Sequence, residues 1–376
     1  MGVVNDQAVP LLQVAATLGL VSAVAWQASM QNAQWRLPNA QVWIELAFAL
    51  GFGGLLNLLL AVVTHVIDDS MPRVGSTFAI AHGAALLCVP YVLPFRFGTS
   101  ASGLALVLFI GVWKSLDALG GTQPRAISRG GLMALVMHYA SPVEYKLERT
   151  ADGYGAIVPA RHGLWKSELA QTATSYLSLS LATSARSVCL SSGFTALALY
   201  AEVWVVYLFL ALFTGTFATI LVLAGFDPMQ TFDSPLLRST SISDFWSRRW
   251  NLLIHGLFRR SVFRPLLRRG FPPWAAGGLA FAISGAFHEY AFALHQPDQW
   301  ASLGRCLLFF LVQAPVVSLE KFIGSKFGVP WPFKSSAAAC TLAWTILLVP
   351  FAPLFLHPLK KSGVFDQIFE LVPRLA

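Results

Sequence analysis

Forty consecutive residues, from Ser187 to Phe226, contain a single charged side chain, Glu202. In a soluble domain about a quarter of the residues are charged, so a run like this belongs in a bilayer. A membrane helix needs about 20 apolar residues. The run is therefore too long for one untilted span, and it predicts two crossings, or one crossing plus a buried segment. The rest of the chain agrees: of 376 residues 56% are hydrophobic and 12% charged, and the mean hydropathy is +0.61. These values exclude a soluble domain and predict an all-α polytopic membrane protein.

Further spans are expected at Val9–Ser29, Val42–Val66, Ser76–Phe95, Ser102–Leu119, Trp274–Leu294, Leu303–Leu319 and Ala337–Leu356, eight to nine in all. Pro350 and Pro353 are placed to break the last. No repeat divides the chain, so residues 1–376 are read as one domain. The start lacks the basic stretch of a cleavable leader, and its first apolar run is expected to be retained. Cys88, Cys189, Cys306 and Cys340 are scattered in apolar surroundings. That spacing suits neither a zinc site nor a disulfide framework.

Charge is concentrated in one place. Between Leu236 and Gly270 there are eight arginines against the single Asp244, nearly the whole net charge of +8. Basic loops of polytopic proteins stay in the cytosol. The stretches Gly120–Glu168 and Phe226–Phe271 are therefore expected on the cytosolic side, with two crossings between them. No nucleic-acid-binding motif accompanies the arginines. Lipid headgroups or an anionic substrate are the partners such charges suit.

Inside the basic stretch, Asp244 to Phe263 has the spacing of one amphipathic helix. Trp246, Trp250, Leu253 and Leu257 form an apolar stripe, while Arg248, Asn251, His255 and Arg259 share another face. Ser243 and Asp244 supply N-capping chemistry, and Pro265 is expected to end the helix. A helix at the membrane surface explains the same pattern.

The next apolar stretch, Pro272 to Leu294, carries His288 and Glu289 in its second half. Ionisable groups at membrane depth are costly and tend to be functional. Ser284 and His288 are four apart and share a face, whereas Glu289 points about 100° away. Burial favours a neutral imidazole, which accepts a proton from a hydroxyl near neutral pH. A histidine bonded to Ser284 for packing alone fits the same spacing. The chain has no G-x-S-x-G elbow, phosphate-binding loop lysine or H-E-x-x-H pair. Base-assisted attack of an alcohol on an activated acyl group is then the simplest chemistry.

Two segments carry a family resemblance. Phe232-Asp-Ser-Pro-Leu-Leu-Arg-Ser-Thr-Ser-Ile-Ser-Asp-Phe-Trp-Ser-Arg-Arg-Trp-Asn251 and Phe281-Ala-Ile-Ser-Gly-Ala-Phe-His-Glu-Tyr290 resemble the wax synthase branch of the membrane-bound O-acyltransferases. That branch has a D-F-W-G-R-R-W-N-like motif followed, some tens of residues later, by an S-G-x-x-H-E-like motif. Ser247 stands where many members have Gly. The resemblance covers residues 232–290; elsewhere only hydropathy and size agree. It implies a helical fold with an intramembrane tunnel, and His288 and Asn251 as the catalytic pair. His288 would be general base, and Asn251 would orient a reactant or steady the oxyanion. Asp244, Trp246, Arg248, Arg249, Trp250, His255, Ser284 and Glu289 are the expected substrate-side residues, with the arginines near CoA phosphates. Acyl-CoA is then a co-substrate, a fatty alcohol the acceptor and a wax ester the product, with no metal or prosthetic group.

Diacylglycerol, a sterol, or a terpenoid alcohol with acetyl-CoA are alternative substrates. A transporter with His288, Glu289, Lys114 and Asp117 along its path is the alternative of another class; Lys114 and Asp117 also suit a structural i, i+3 ion pair. Cytosolic acyl-CoA and a bilayer acceptor suit the endoplasmic reticulum. Membrane lipids are expected neighbours, nucleic acid is not, and a homodimer stays open.

Overall fold

The computed structural model describes residues 34–64, 72–148, 150, 155–295, 302–327 and 350–375. Its apolar runs are helices because backbone polar groups in hydrocarbon must be satisfied within their own segment. In chain order these are α1 (Ala40–Val62), α2 (Pro72–Val92), α3 (Gly98–Leu119) and α4 (Gly131–Ala140). Next come α5 (Leu164–Ser191), α6 (Thr195–Leu223), α7 (Leu252–Phe258) and α8 (Arg264–Arg268). The last are α9 (Pro273–Ala293), α10 (Arg305–Phe327), α11 (Ala352–Lys361) and α12 (Val364–Glu370). Two short antiparallel pairs interrupt the helical pattern: Trp35–Arg36 with Arg374–Leu375, and Leu147–Glu148 with Ala156–Ile157.

Among the described residues, α1, α3, α6 and Arg305–Ile323 of α10 are long and apolar enough to cross a membrane. Ile44, Phe48, Leu55 and Leu59 lie exposed along one face of α1. Each such side chain gains roughly 1.5–3 kcal/mol when removed from water, so the face suits lipid. The helical membrane class stands. The expected span Val9–Ser29 and all but the end of Ala337–Leu356 lie outside the described residues. At the end of that last expected span, α11 begins after Phe351 with Pro353 in its first turn. Proline is tolerated there because its missing N–H has no helical partner to lose.

The forty-residue apolar run needs correcting. Thr195–Leu223 is one uninterrupted helix, about 44 Å long at 1.5 Å per residue. Its antiparallel partner, α5, starts at Leu164, inside the stretch read as a polar loop. Serines and threonines kept α5 from reading as apolar, yet several bond back to carbonyls of the preceding turn, as Thr172 does to Glu168 (2.8 Å). Self-satisfied hydroxyls add little cost to a buried helix.

Close helix contacts use glycine and buried polar atoms. Asn57 on α1 donates to the Val107 carbonyl on α3 at 2.8 Å. A Cβ at Gly111 would lie 2.0 Å from the Asn57 side chain. Lys114 and Asp117 do not pair with each other. The fully buried Lys114 ammonium donates to the carbonyls of His138 (2.6 Å) and Ser141 (2.7 Å). Asp117 instead meets Arg260 at 2.9 Å, and Arg260 also grips Glu144 at 2.7 Å. One half-buried arginine thereby ties the basic segment to α3 and to the loop after α4.

Candidate active site

The segment read as one amphipathic helix is broken. Ser241 caps a short turn, Ile242–Asp244, through its hydroxyl, which accepts from the Asp244 N–H at 2.9 Å. The cap is thus Ser241 rather than Ser243. A π-helical turn follows, Phe245–Arg249, then Trp250 is extended and Asn251 takes a left-handed conformation at φ 42. Asn tolerates that region better than most residues because its short amide bonds locally. Here Asn251 Oδ1 accepts the Ile254 N–H (3.3 Å), making Asn251 the N-cap of α7. A second π turn, Arg259–Phe263, leads into α8 with Pro265 in its first turn, so Pro265 does not end the helix. The Arg264 N–H bonds to the Arg259 carbonyl five residues back, which shifts the ladder just where proline would otherwise break it.

The break turns this segment around a cavity of about 980 Å³. On α9 the cavity is lined from Pro273 and Trp274 through Ser284, Phe287 and His288 to Phe292. Trp246, Arg248, Trp250, Asn251, His255 and Arg259 line the same space, with α3, α6, α10 and the α11–α12 segment closing the remaining sides.

His288 is held in a defined orientation. Its Nδ1 lies 2.7 Å from the Ser284 carbonyl oxygen. A carbonyl only accepts, so Nδ1 carries the proton and the neutral ring presents Nε2 as a lone pair. The contact is to the Ser284 backbone, not to its hydroxyl. Phe310 stacks on the imidazole at 4.8 Å, with Phe355, Phe287 and Phe292 at 5.1, 5.4 and 5.7 Å. Four aromatic rings surround the base, and charge in such an apolar setting is screened weakly.

Asn251 uses its oxygen for the cap. Its amide NH2 has no protein acceptor among the described residues, so it is a donor available to a cavity ligand. Arg248, Arg259 and Lys321 are exposed and line the cavity too, which makes its open side cationic. His255 lies one turn beyond Asn251. Burial, then the Arg259 charge, lowers its pKa below the usual imidazole range.

Three expected substrate-side residues do not line the cavity. Asp244 is buried and salt-bridged to Arg248 (2.8 Å) and Arg249 (2.7 Å). Arg249 also pairs with Asp233 at 2.7 Å, so two carboxylates already hold its guanidinium. Glu289 accepts the Leu307 N–H at 2.9 Å. That N–H is one of the unpaired donors in the first turn of α10, where a carboxylate also complements the helix dipole. Gly285 belongs to the same junction, since a Cβ there would lie 2.8 Å from Leu307 Cα.

α10 supplies what the sequence reading missed. Gln313 accepts from the Trp246 indole at 3.1 Å, and Glu320 accepts the Ser243 N–H at 2.9 Å. Together with Phe310, which meets both Trp246 and His288, they join the basic segment to the histidine helix. Gln313, a buried amide inside an apolar run, is the signal that the same membrane-depth rule would have picked out.

Residues 229–312, which hold both motifs and the start of α10, match the model of the membrane bound O-acyl transferase family. This segment resembles that of the membrane-bound O-acyltransferases. The chain is 34% identical over 184 residues to "Probable long-chain-alcohol O-fatty-acyltransferase 1" of Arabidopsis thaliana, covering 46% of this chain and 51% of the relative. It is 27% identical over 165 residues to "Acyl-CoA--sterol O-acyltransferase 1" of the same plant, covering 42% and 46%. It is 29% identical over 133 residues to "Diacylglycerol O-acyltransferase 1C" of Glycine max, covering 34% and 23%. These matches span about half or less of each acyltransferase relative. Long-chain-alcohol relatives recur among them, so the resemblance to the wax synthase branch stands.

Proposed function

We propose that the chain is an acyl-CoA-dependent O-acyltransferase that esterifies a long-chain alcohol, giving a wax ester. The observation that carries this reading is the His288 geometry. With Nδ1 donating to Ser284, Nε2 is the free base, and it shares a cavity with an unpaired amide donor and a cationic opening.

In the reaction, Nε2 takes the proton of the acceptor hydroxyl as its oxygen attacks the thioester carbonyl. The carbonyl π electrons move onto oxygen, where the Asn251 NH2 donates a hydrogen bond. Collapse of this tetrahedral intermediate breaks the C–S bond. The imidazolium returns its proton to the leaving sulfur, so CoA departs as a thiol and the ester remains. Arg248, Arg259 and Lys321 meet the CoA phosphates at the cationic side, where arginine binds oxyanions through two N–H groups. The apolar part of the cavity, a tunnel through the bilayer in this reading, holds the alkyl chains.

Sterol and diacylglycerol are the second reading, because acyltransferases named for those acceptors are among the relatives. The experiment supplies membranes containing the chain with labelled palmitoyl-CoA and hexadecanol, diacylglycerol, cholesterol or no acceptor. Wax ester is the expected product. The His288→Ala variant is expected to lose on the order of 10²–10⁴-fold in rate, the usual contribution of a general base. Label in triacylglycerol or sterol ester moves the assignment to those acceptors. Full activity in His288→Ala refutes the mechanism.

A further inference from the structure

We propose that the C-terminal segment, through Leu359, Val364 and Ile368, is an end wall that measures the acyl chain. This rests on the acyltransferase reading, and it adds a residue-level determinant of chain length. The cavity face of α3 is Thr99, Ser102, Leu106 and Phe109. Phe109 stacks on Phe287 at 4.2 Å, next in sequence to His288, and so marks the level of the base. Beyond Phe109, at the far end of α3, Asp117 takes the Arg260 guanidinium, the neighbour of Arg259. The cations therefore lie towards one end of α3, and Thr99 lies towards the other. Ten residues separate Phe109 from Thr99, about 15 Å of helix at 1.5 Å per residue.

An acyl chain with its CoA at the cations and its carbonyl at His288 runs on towards Thr99. That depth suits an extended aliphatic chain and is wasted on an acetyl group. Val364 and Ile368 line the cavity there: Gln367, between them, accepts the Thr99 N–H at 2.9 Å. A β-branched pair on a short helix presents a stiff surface.

A wall that measures length must not yield, and this one is fastened on several sides. Buried Glu202 on α6 binds Lys360 of α11 (2.6 Å) and Arg186 of α5 (2.9 Å). Arg186 also lies over the rings of Phe369 and Phe365, at 5.0 and 5.5 Å. Asn39 donates to Glu370 at 2.8 Å, and Arg374–Leu375 pair with Trp35–Arg36. The one buried charge of the forty-residue run thus holds the wall rather than meeting substrate.

The test gives the unmutated chain, Val364→Ala and Val364→Phe an equimolar mixture of octanoyl- to arachidoyl-CoA with one alcohol. Product ratios are read by mass spectrometry, and competition within one reaction makes them independent of the folded fraction. Preference is expected to move to longer chains in Val364→Ala and to shorter ones in Val364→Phe. A methylene in an apolar pocket is worth about tenfold or more, so ratios between neighbouring even chains should change by about that factor. Unchanged ratios overturn the wall. So do ratios that shift only in the converse arm, one acyl-CoA with mixed alcohols. Should Val364→Phe give no product, Val364→Ala and Ile368→Ala decide. If the unmutated chain transfers nothing, the catalytic reading fails, and thermal stabilisation by the same acyl-CoA series judges the wall alone. An unaltered order of stabilisation in the Ala variants overturns it.

Discussion

Arg248 and Arg249 are adjacent and chemically identical, yet the structure assigns them opposite consequences when removed. The Arg249 side chain is 17% exposed and joins Asp233 and Asp244, whereas the Arg248 side chain is 73% exposed and touches only Asp244. Arg249→Ala leaves the Asp244 carboxylate buried with one surface arginine as its remaining cation. Breaking a buried ion pair from one side costs about 3–5 kcal/mol. Total stabilities are roughly 5–15 kcal/mol, so a large fraction of the fold is at stake. Arg248→Ala removes an ion pair whose arginine is exposed and screened by solvent, and Asp244 keeps Arg249, so the cost to the fold is about 0–1 kcal/mol. Its expected effect is on binding: a charge-assisted contact to phosphate is worth about 1.5–3 kcal/mol, or roughly ten- to hundredfold in KM for acyl-CoA. The assay pairs thermal unfolding of the detergent-solubilised protein with initial rates against acyl-CoA at low and high salt. Arg249→Ala should unfold early. Arg248→Ala should keep its unfolding temperature and lose affinity most clearly at low salt. An Arg249→Ala protein of unchanged stability, or an Arg248→Ala protein of unchanged KM, refutes this reasoning.

Two further outcomes are expected. Asn251→Asp keeps the oxygen that caps α7 and loses the NH2, so it should fold normally and lose rate, about 10²–10³-fold if the amide steadies the oxyanion; a rate like that of the unmutated chain assigns Asn251 to the cap alone. Burial would raise the Asp244 carboxyl, but hydrogen bonds from Arg249 and the Thr240 N–H, with both arginine charges, hold it below the usual range. A carboxylate with a depressed folded-state pKa contributes stability that is complete above its unfolded value, about 3.9, and lost as pH falls through the folded one. Unfolding temperature should accordingly drop in acid below about pH 4, and less so in Asp244→Asn; equal acid sensitivity of the two proteins removes Asp244 from the account.

Much of the site was legible because membrane burial penalises every polar side chain it does not use. His288 stood out in an apolar run for that reason, and Asn251 through the motif it ends. Asp244, Arg249 and Glu289 lie outside the cavity lining for a shared reason. Motif position says that a charge is required, but not whether its partner is a substrate or another part of the chain. Glu289 meets a helix terminus eighteen residues later, and Arg249 meets Asp233 sixteen residues earlier.

Local pattern decided the membrane class, the apolar helices α1 and α3, and the pairing of a basic motif with a histidine in an apolar run. These follow from hydropathy and spacing, which act over one or two turns. Only the tertiary structure decided where the amphipathic segment breaks and which arginine faces the cavity. Each depends on a partner far along the chain or on a backbone turn that periodicity assumes away. Asn251 shows the difference most clearly. Its spacing placed it on a helix face, but its left-handed backbone ends one segment, caps the next, and leaves its amide at the cavity that His288 lines.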